Sequence, residues 1–352
     1  MLYDFNDLLI QPATITSIRS RSEVNPYYEE FIEQGSYLKK LPLMTAPMDT
    51  VIDGKNQHYF KELGITTVLP RIKDPNSNHI SYDGFLSYSL NDFDEIFLNN
   101  TIEIPEGHQV FVLIDIANGH MGDLKNSAKT AKIKYGSDLV LMVGNVANPT
   151  TFYDYCLSGV DYVRIGIGNG GGCLTTVQTG VGYPMASLIY ECNKIRTRNT
   201  HIKTKIVADG GFKSYSDVIK GLALGADYIM LGSMFNKALE SCGETTSPSH
   251  GTVDQYDDKT KEMFDVDIPL YKVFRGMSTK EVQLTLGKGH VKTSEGVVRQ
   301  HKVEYTLQGW VDNFISYLKS AMSYTDKKEL PHFIGGVTTN IISSNSFNRF
   351  NK

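Results

Sequence analysis

The sequence contains no apolar run long enough to cross a membrane. A transmembrane helix needs about 18 or more consecutive apolar residues, and the 352 residues contain no such run. The opening residues, MLYDFNDLLIQP, carry the acidic Asp4 and no basic residue, so they do not resemble a secretory signal. The net charge of −4 is unlike the positive charge typical of proteins that bind nucleic acid. We expect a protein that works without a membrane or a nucleic-acid partner.

Cysteine is scarce, and the usual metal-binding spacings are missing. The four cysteines, Cys156, Cys173, Cys192 and Cys242, include no CxxC pair, which argues against a disulfide framework and against a zinc site. The nine histidines form no HExxH motif, so no transition-metal site is predicted. No GxGxxG turn links a strand to a helix, so a Rossmann cofactor site is not supported. This cysteine usage indicates a reducing, cytoplasmic compartment.

Eight short apolar runs alternate with helical or polar segments. Most are continuous, which is typical of parallel strands buried on both faces. The runs are residues 41–47, 65–70, 85–90, 110–116, 138–144, 161–167, 205–211 and 227–233. Helices are predicted between several of them, over 148–158 and 215–224 for example, each followed by a glycine. The pattern predicts one α/β domain over residues 1–352, a (β/α)8 TIM barrel with N- and C-terminal extensions. A doubly wound open sheet is the alternative.

Three segments fall outside the eight-unit pattern. Residues 245–267 are polar and are predicted to form a surface excursion. Residues 276–296 include the glycine-containing stretch LGKGHVKTSEG and are predicted to form an active-site flap. The tail, residues 340–352, is rich in Ser and Asn, and we expect it to be loose.

One loop of the predicted barrel is dominated by glycine. Residues 166–184 read GIGNGGGCLTTVQTGVGYP, and glycine lets the backbone approach a ligand closely. Cys173 ends the glycine run and is a candidate nucleophile, and Thr175 offers a hydroxyl for proton handling. Glu295, in the predicted flap, is a carboxylate suited to relay protons with Thr175. The alternative is a flexible loop with an incidental cysteine and a surface glutamate.

Two further loops indicate a phosphate site. The DGG turn at residues 209–211 and the pair Gly232–Ser233 end adjacent predicted strands, and loops at this position bind phosphate in many TIM barrels. The carboxylate of Asp209 suits the hydroxyls of a ribose. The alternative is that these glycines only form tight turns.

A second phosphate-bearing ligand has candidates elsewhere in the chain. Arg71 follows the second predicted strand, and Ser20 and Arg21 stand near the N-terminus. For each, solvation at the surface is the alternative. Asp115, at the end of the fourth predicted strand, either bonds a ligand amide or caps the strand.

The glycine–cysteine stretch resembles the signature loop of the IMP dehydrogenase/GMP reductase family. The motifs DFNDLLIQP, RSRSEV, APMDTV, DIANGH, FRGMS and SEG occur in the order of that family, so the resemblance runs nearly end to end. Residues 179–184, TGVGYP, resemble the reductase version. The chain has no room for the regulatory module that most of the dehydrogenases insert after the second strand. The flap also lacks the Arg-Tyr pair with which the dehydrogenases activate water.

The resemblance implies a reaction and its partners. The implied reaction is the NADPH-dependent reductive deamination of GMP to IMP with release of ammonia through a cysteine thioimidate. The alternatives are an IMP dehydrogenase without the regulatory module and a non-catalytic barrel that binds purine nucleotides. A homotetramer and a monovalent cation such as K+ are expected from the same resemblance.

The resemblance also assigns roles position by position. Cys173 corresponds to the nucleophile, and Thr175 and Glu295 to the pair that handles the proton of the leaving amine. Substrate-binding positions are Asp209, Gly210, Gly211, Gly232, Ser233, Gly276, Met277, Ser278, Lys292, Ser294 and Gly296. Cofactor-binding positions are Ser20, Arg21, Arg71, Asp115, Ile116, Ala117, Ile167, Gly168, Ser320 and Ser323. The carbonyl groups of Gly168, Gly170 and Cys173 correspond to the cation site.

Overall fold

The computed structural model describes residues 2–31, 37–71, 81, 83–100, 102–277, 279 and 296–350. Its N-terminal part comprises a short 3-10 helix at Phe5–Asp7, strand β1 at Leu8–Ile10, a second 3-10 helix at Arg21–Glu23, and an antiparallel pair formed by β2 (Tyr28–Phe31) and β3 (Tyr37–Lys40). The Tyr28 hydroxyl donates to the backbone oxygen of Asp227 at 3.0 Å, so this pair contacts the end of the barrel at which the strands begin.

Eight parallel strands form the central sheet, as the sequence predicts. They are β4 (Leu43–Thr45), β5 (Val68–Leu69), β6 (Phe85–Tyr88), β7 (Val110–Asp115), β8 (Leu139–Val146), β9 (Tyr162–Ile165), β10 (Lys205–Asp209) and β11 (Tyr228–Leu231). The first strand pairs with the last, and a parallel bridge from Met44 to Thr66 joins it to the chain before β5. The sheet therefore closes into a barrel, which excludes the open-sheet alternative.

Side chains fill the barrel interior, and a second apolar layer separates the strands from the helices. Phe85, Leu113, Met142 and Met230 are buried inside, and the Phe85 ring meets the Tyr162 ring edge to face at 5.3 Å. Every second residue of a strand points inward, so the continuous apolar runs fill both layers.

Helices connect many of the strands and surround the barrel. Their bounds are α1 Gln57–Glu62, α2 Leu90–Phe93 continued by a π-helical turn at Asp94–Asn99, α3 Gly122–Tyr135, α4 Pro149–Leu157, α5 Thr175–Thr179, α6 Met185–Arg198, α7 Tyr215–Leu224, α8 Ser233–Asn236, α9 Asp258–Asp265, α10 Leu307–Tyr324, α11 Leu330–Phe333 and α12 Ser344–Phe350. Helices α4 and α7 match the predicted ones. Gly159 and Gly225 follow them with φ of 78° and 115°, values that favour glycine. Within the described residues, no helix is long and apolar enough to cross a membrane.

The polar segment 245–267 is an ordered part of an added sheet. Strands β12 (Thr245–Ser247) and β13 (Gly251–Val253) join β14 (Tyr271–Arg275) and β15 (Val298–Lys302) in a four-stranded antiparallel sheet in the order β13-β12-β14-β15. Thr245 and Ser247 are buried although they are polar. Their hydroxyl groups are hydrogen-bonded, and a hydrogen-bonded hydroxyl can be buried at little cost. The polar composition of this segment therefore does not require its side chains to face solvent.

The described part of the C-terminal tail contains a strand and a helix within residues 339–350. Strand β16 (Thr339–Ile341) pairs antiparallel with β1, with Leu8 opposite Ile341. Helix α12 follows and contacts the first 3-10 helix. The backbone groups of β16 pair with a strand more than 300 residues away in sequence, a pairing that local composition does not reveal.

Candidate active site

The cysteine loop follows the C-terminal end of β9, and the active site of a TIM barrel lies at this end of its strands. The Cys173 thiol donates to the Thr175 hydroxyl oxygen at 3.2 Å, and Thr175 is the first residue of α5. The backbone nitrogen of Cys173 donates to the oxygen of Gly170 at 3.1 Å, so the glycine run turns back on itself. The predicted nucleophile and proton-handling hydroxyl are therefore in direct contact.

The loop is attached to residues 275–277 and 296–297, which we call the flap base because they form and adjoin the two described ends of the flap predicted over 276–296. Cys173 forms an antiparallel β-bridge with Gly296, and the nitrogen of Val297 donates to the oxygen of Gly172 at 3.1 Å. A Cβ atom on Gly276 would lie 2.3 Å from the Gly172 oxygen, so only glycine fits there. The predicted residues Ser278, Lys292, Ser294 and Glu295 lie outside the described residues, whereas Gly276, Met277 and Gly296 lie within them.

An ion pair holds the flap base to the barrel. The Arg275 guanidinium donates to the Asp49 carboxylate at 3.2 Å through Nε and at 2.5 Å through Nη2. Asp49 belongs to the loop that follows β4. The sequence does not distinguish Arg275 as a site residue, because it is one of two charged residues in a strand, YKVFR, that also contains apolar ones.

A second residue missed in the sequence, Thr176, holds the cysteine loop from its other side. Its hydroxyl lies 2.7 Å from the oxygen of Val181 and 3.3 Å from that of Ile167. A Cβ atom on Gly168 would overlap this hydroxyl at 1.8 Å, and Gly168 has a φ of 76°. Glycine at 168 is therefore required both by its backbone conformation and by the close approach of Thr176.

The DGG turn contacts the cysteine loop. Gly210 and Gly211 have φ values of 88° and 90°, and a Cβ atom on Gly210 would lie 2.7 Å from the nitrogen of Gly170. Gly232 and Ser233 follow β11, the neighbour of β10 in the barrel. The loops predicted to bind phosphate thus leave adjacent strands, and the first of them touches the loop of Cys173.

Four charged side chains and one amide form a continuous network that joins the residues after β5 to the ends of β7 to β10. Arg71 donates to Asp115 at 3.2 Å, and Arg164 donates to Asp115 at 2.8 Å and to Asp209 at 2.9 Å. Asn145 donates to Asp209 at 2.9 Å and to the oxygen of Gly166 at 2.7 Å. The predicted cofactor residues Arg71 and Asp115 are therefore connected to the predicted substrate residue Asp209.

The network favours the charged forms of Asp115 and Arg164. Burial opposes ionisation of Asp115, but the guanidinium groups of Arg71 and Arg164 outweigh it and lower the pKa of the carboxyl. Burial also disfavours the charged form of Arg164, but Asp209 and Asp115 together raise its pKa. In the sequence, the one signal for Arg164 is its charge inside the otherwise apolar run DYVRIGI.

The other predicted cofactor residues fall into two groups. Ile116, Ala117, Ile167 and Gly168 continue β7 and β9 beside the network, and the nitrogen of Ile116 donates to the oxygen of Gly144 at 2.9 Å. The second group lies along α10 and comprises Ser20, Arg21, Ser320 and Ser323. In that group Arg21 donates to Ser316 at 3.4 Å, and the Thr16 hydroxyl donates to the oxygen of Ser323 at 2.9 Å.

The remaining thiols are poor candidates for a nucleophile. Burial raises the pKa of Cys156 to about 11 and also raises the pKa values of Cys192 and Cys242. Cys156 lies on α4, within the helix predicted over 148–158, and Cys192 lies on α6. Because a thiolate is the attacking species, these three groups are unsuited to nucleophilic chemistry near neutral pH.

Comparison with known proteins gives a consistent result. The family model described as IMP dehydrogenase / GMP reductase domain matches residues 103–349, more than half of the chain. GMP reductase of Vibrio vulnificus strain YJ016 is 27% identical over 339 residues, which cover 93% of this chain and 90% of that protein. GMP reductase of Oceanobacillus iheyensis is 29% identical, with 94% and 92% covered. Human GMP reductase 1 is 26% identical, with 93% and 91% covered.

Proposed function

The chain belongs to the IMP dehydrogenase/GMP reductase family, and we propose that it catalyses the NADPH-dependent reductive deamination of GMP to IMP. The observation that carries the proposal is the contact of Cys173 with Thr175 at 3.2 Å, in a loop that touches the DGG turn. The names of the similar proteins favour reduction over dehydrogenation, as does TGVGYP at 179–184.

The Cys173 thiolate attacks C2 of the purine, and the exocyclic amine leaves as ammonia. The thiol proton passes first to the Thr175 hydroxyl, its neighbour at 3.2 Å. Covalent attachment divides a difficult substitution into two easier steps. When bound, NADPH would supply a hydride to C2, and the Cys173 sulfur would then leave as IMP is released. GMP, NADPH and two protons thus give IMP, NADP+ and ammonium. Glu295 is proposed to complete the proton relay.

The network residues suit the two nucleotides. Among the described residues, the donors to Asp209 all reach its Oδ2 atom, so Oδ1 is proposed to accept the ribose hydroxyls of GMP. Asp115 is ionised and its side chain is 14% exposed, which fits a donor group of the cofactor. The guanidinium of Arg71, 24% exposed, fits an anionic group beside it.

Further parts of the proposal concern the phosphate, the cation and the assembly. The backbone amides near Gly211, Gly232 and Ser233 are proposed to hold the phosphate of GMP, because these residues lie on adjacent barrel loops. The carbonyl groups of Gly168, Gly170 and Cys173 are proposed to bind K+. A homotetramer and a cytoplasmic location complete the proposal. An activity assay with K+ replaced by a bulky organic cation tests the proposed cation site. Light scattering of the purified protein tests the proposed homotetramer.

The test of the activity is direct. Purified protein given GMP and NADPH is expected to consume NADPH and to release ammonia. Replacement C173A is expected to abolish both while GMP binding remains measurable by calorimetry. Formation of NADH from IMP and NAD+ instead would identify a dehydrogenase. Binding of GMP without turnover with either cofactor would identify a non-catalytic barrel.

A further inference from the structure

Arg164 occupies a central place in the charged network at the ends of the strands. It lies on β9, and only 9% of the residue is exposed. Its Nη1 atom is 2.8 Å from Asp115 on β7, and its Nε and Nη2 atoms are each 2.9 Å from Asp209 at the end of β10. One guanidinium therefore contacts the carboxylate proposed for the cofactor and the carboxylate proposed for the substrate.

The network is balanced in charge. Arg71 and Arg164 carry two positive charges, and Asp115 and Asp209 carry two negative charges, all connected through charge-assisted hydrogen bonds. Loss of one partner from such a buried set leaves an uncompensated charge, so the members hold one another in place. The side chains of Asp115 and Asp209 are 14% and 17% exposed, so both retain some access for a ligand.

Only arginine has the geometry that this position uses. The planar guanidinium presents its donors in a fixed fork, so Nη1 reaches one carboxylate while Nε and Nη2 reach the other. A lysine ammonium keeps the charge but is a single point on a flexible stem. It is therefore unsuited to hold two carboxylates on strands β7 and β10 in fixed relative positions.

We propose that Arg164 is a positioning residue that couples the two nucleotide sites. A ligand that fixes Asp209 also fixes Arg164 and, through it, Asp115, so the second ligand meets a carboxylate that is already ordered. The two ligands then raise each other's affinity by the same factor. This inference rests on the proposed function, because it takes Asp209 as the ribose partner of GMP and Asp115 as a partner of the cofactor.

Calorimetry on the intact protein tests the coupling. GMP is titrated with and without saturating NADP+, which binds but donates no hydride. In the wild type, GMP affinity is expected to rise at least about fivefold with NADP+, the lower end of typical coupling between sites. In R164K the ratio is expected to fall toward one. Kinetics add a second readout: relative to the wild type, R164K is expected to raise the KM for each nucleotide more when the other nucleotide is saturating, because only the wild type gains affinity from the second ligand.

The chain offers a matched control in Arg196. It is also an arginine in an ion pair, with Asp227, its side chain is 17% exposed, and it donates to Asn193 at 2.8 Å and to the oxygen of Gly225 at 2.9 Å. It lies on α6, away from the network. R196K therefore tests the same substitution in a comparable ion pair, and it is expected to keep the wild-type coupling ratio.

A second variant covers the case in which R164K does not fold. D115N keeps the size of the side chain but removes the charge that faces Arg164. It is expected to weaken GMP binding even without NADP+, although Asp115 has no proposed contact with GMP.

Several outcomes would overturn the inference. They are R164K with the wild-type ratio, R196K with the loss seen in R164K, D115N with unchanged GMP affinity, and a wild type whose GMP affinity ignores NADP+. A wild type that neither binds GMP nor oxidises NADPH would instead overturn the proposed function, and the coupling with it.

Discussion

Replacement G276A tests whether close packing against the flap base holds the nucleophile in place. A Cβ atom at position 276 would lie 2.3 Å from the oxygen of Gly172 and 3.2 Å from the Cα of Gly296. Both neighbours are backbone atoms, so no side chain can rotate to make room. Gly276 is not among the glycines with positive φ, so alanine fits its backbone conformation and the effect is purely steric.

The geometry sets the size of the effect. A carbon atom approaches a carbonyl oxygen to about 3.3 Å, so the new methyl group must move the Gly172 oxygen, or its own backbone, by roughly 1 Å. Gly172 directly precedes Cys173, so the thiol moves with it. A misplacement of about 1 Å costs a catalytic step roughly a hundredfold, which corresponds to about 2.7 kcal/mol in the barrier.

The assay is the initial rate of NADPH consumption with saturating GMP, compared with the matched variant G171A. Gly171 lies in the same glycine run, but no described atom lies within 4 Å of its Cβ position. We expect kcat to fall about a hundredfold in G276A and to stay near the wild-type value in G171A. Equal rates in the two variants, with both folded by circular dichroism, would refute the view that this contact positions Cys173.

Two other replacements probe the proton pathway and the added sheet. T175V removes the hydroxyl that lies 3.2 Å from Cys173 and is expected to lower kcat by about a hundredfold or more with GMP affinity unchanged, as measured by steady-state rates and calorimetry. K272M addresses a buried lysine whose pKa burial lowers to about 7. Between about pH 7 and 10 the unfolded lysine binds a proton that the folded one has lost, so wild-type stability should rise with pH relative to K272M. Denaturant unfolding at several pH values measures this difference, and a constant difference would contradict the lowered pKa.

The barrel was predictable from the sequence because its strands carry a strong local signal. Each strand is buried on both faces, so runs such as VFVLIDI and DLVLMVG are apolar without interruption. The cysteine loop was predictable for a similar reason, since a dense run of glycines with one thiol is unusual. Eight such strands predict a closed barrel, and the bridge of Met44 to Thr66 is one of the contacts that close it.

The parts that were not predictable depend on contacts between distant segments. Strand β16 exists because Leu8 and Ile341 pair across the chain, and nothing in the composition of the tail indicates that partner. Arg164 is a single charge within an apolar run, and its role appears only when the ends of β7 and β10 come together around it. Sequence patterns therefore indicate which loops carry chemistry. The side chains that connect those loops can be recognised only in the closed barrel, where distant strands lie next to one another.

The central claim is that Cys173 forms a covalent bond with the purine, and mass spectrometry of the protein during turnover tests it most directly. Protein mixed with GMP and NADPH, quenched in acid and digested, is expected to yield the peptide that contains Cys173 with the added mass of the purine nucleotide. The C173A variant is expected to yield none. Turnover with release of ammonia but without that adduct, or an adduct on Cys156, Cys192 or Cys242, would contradict the account.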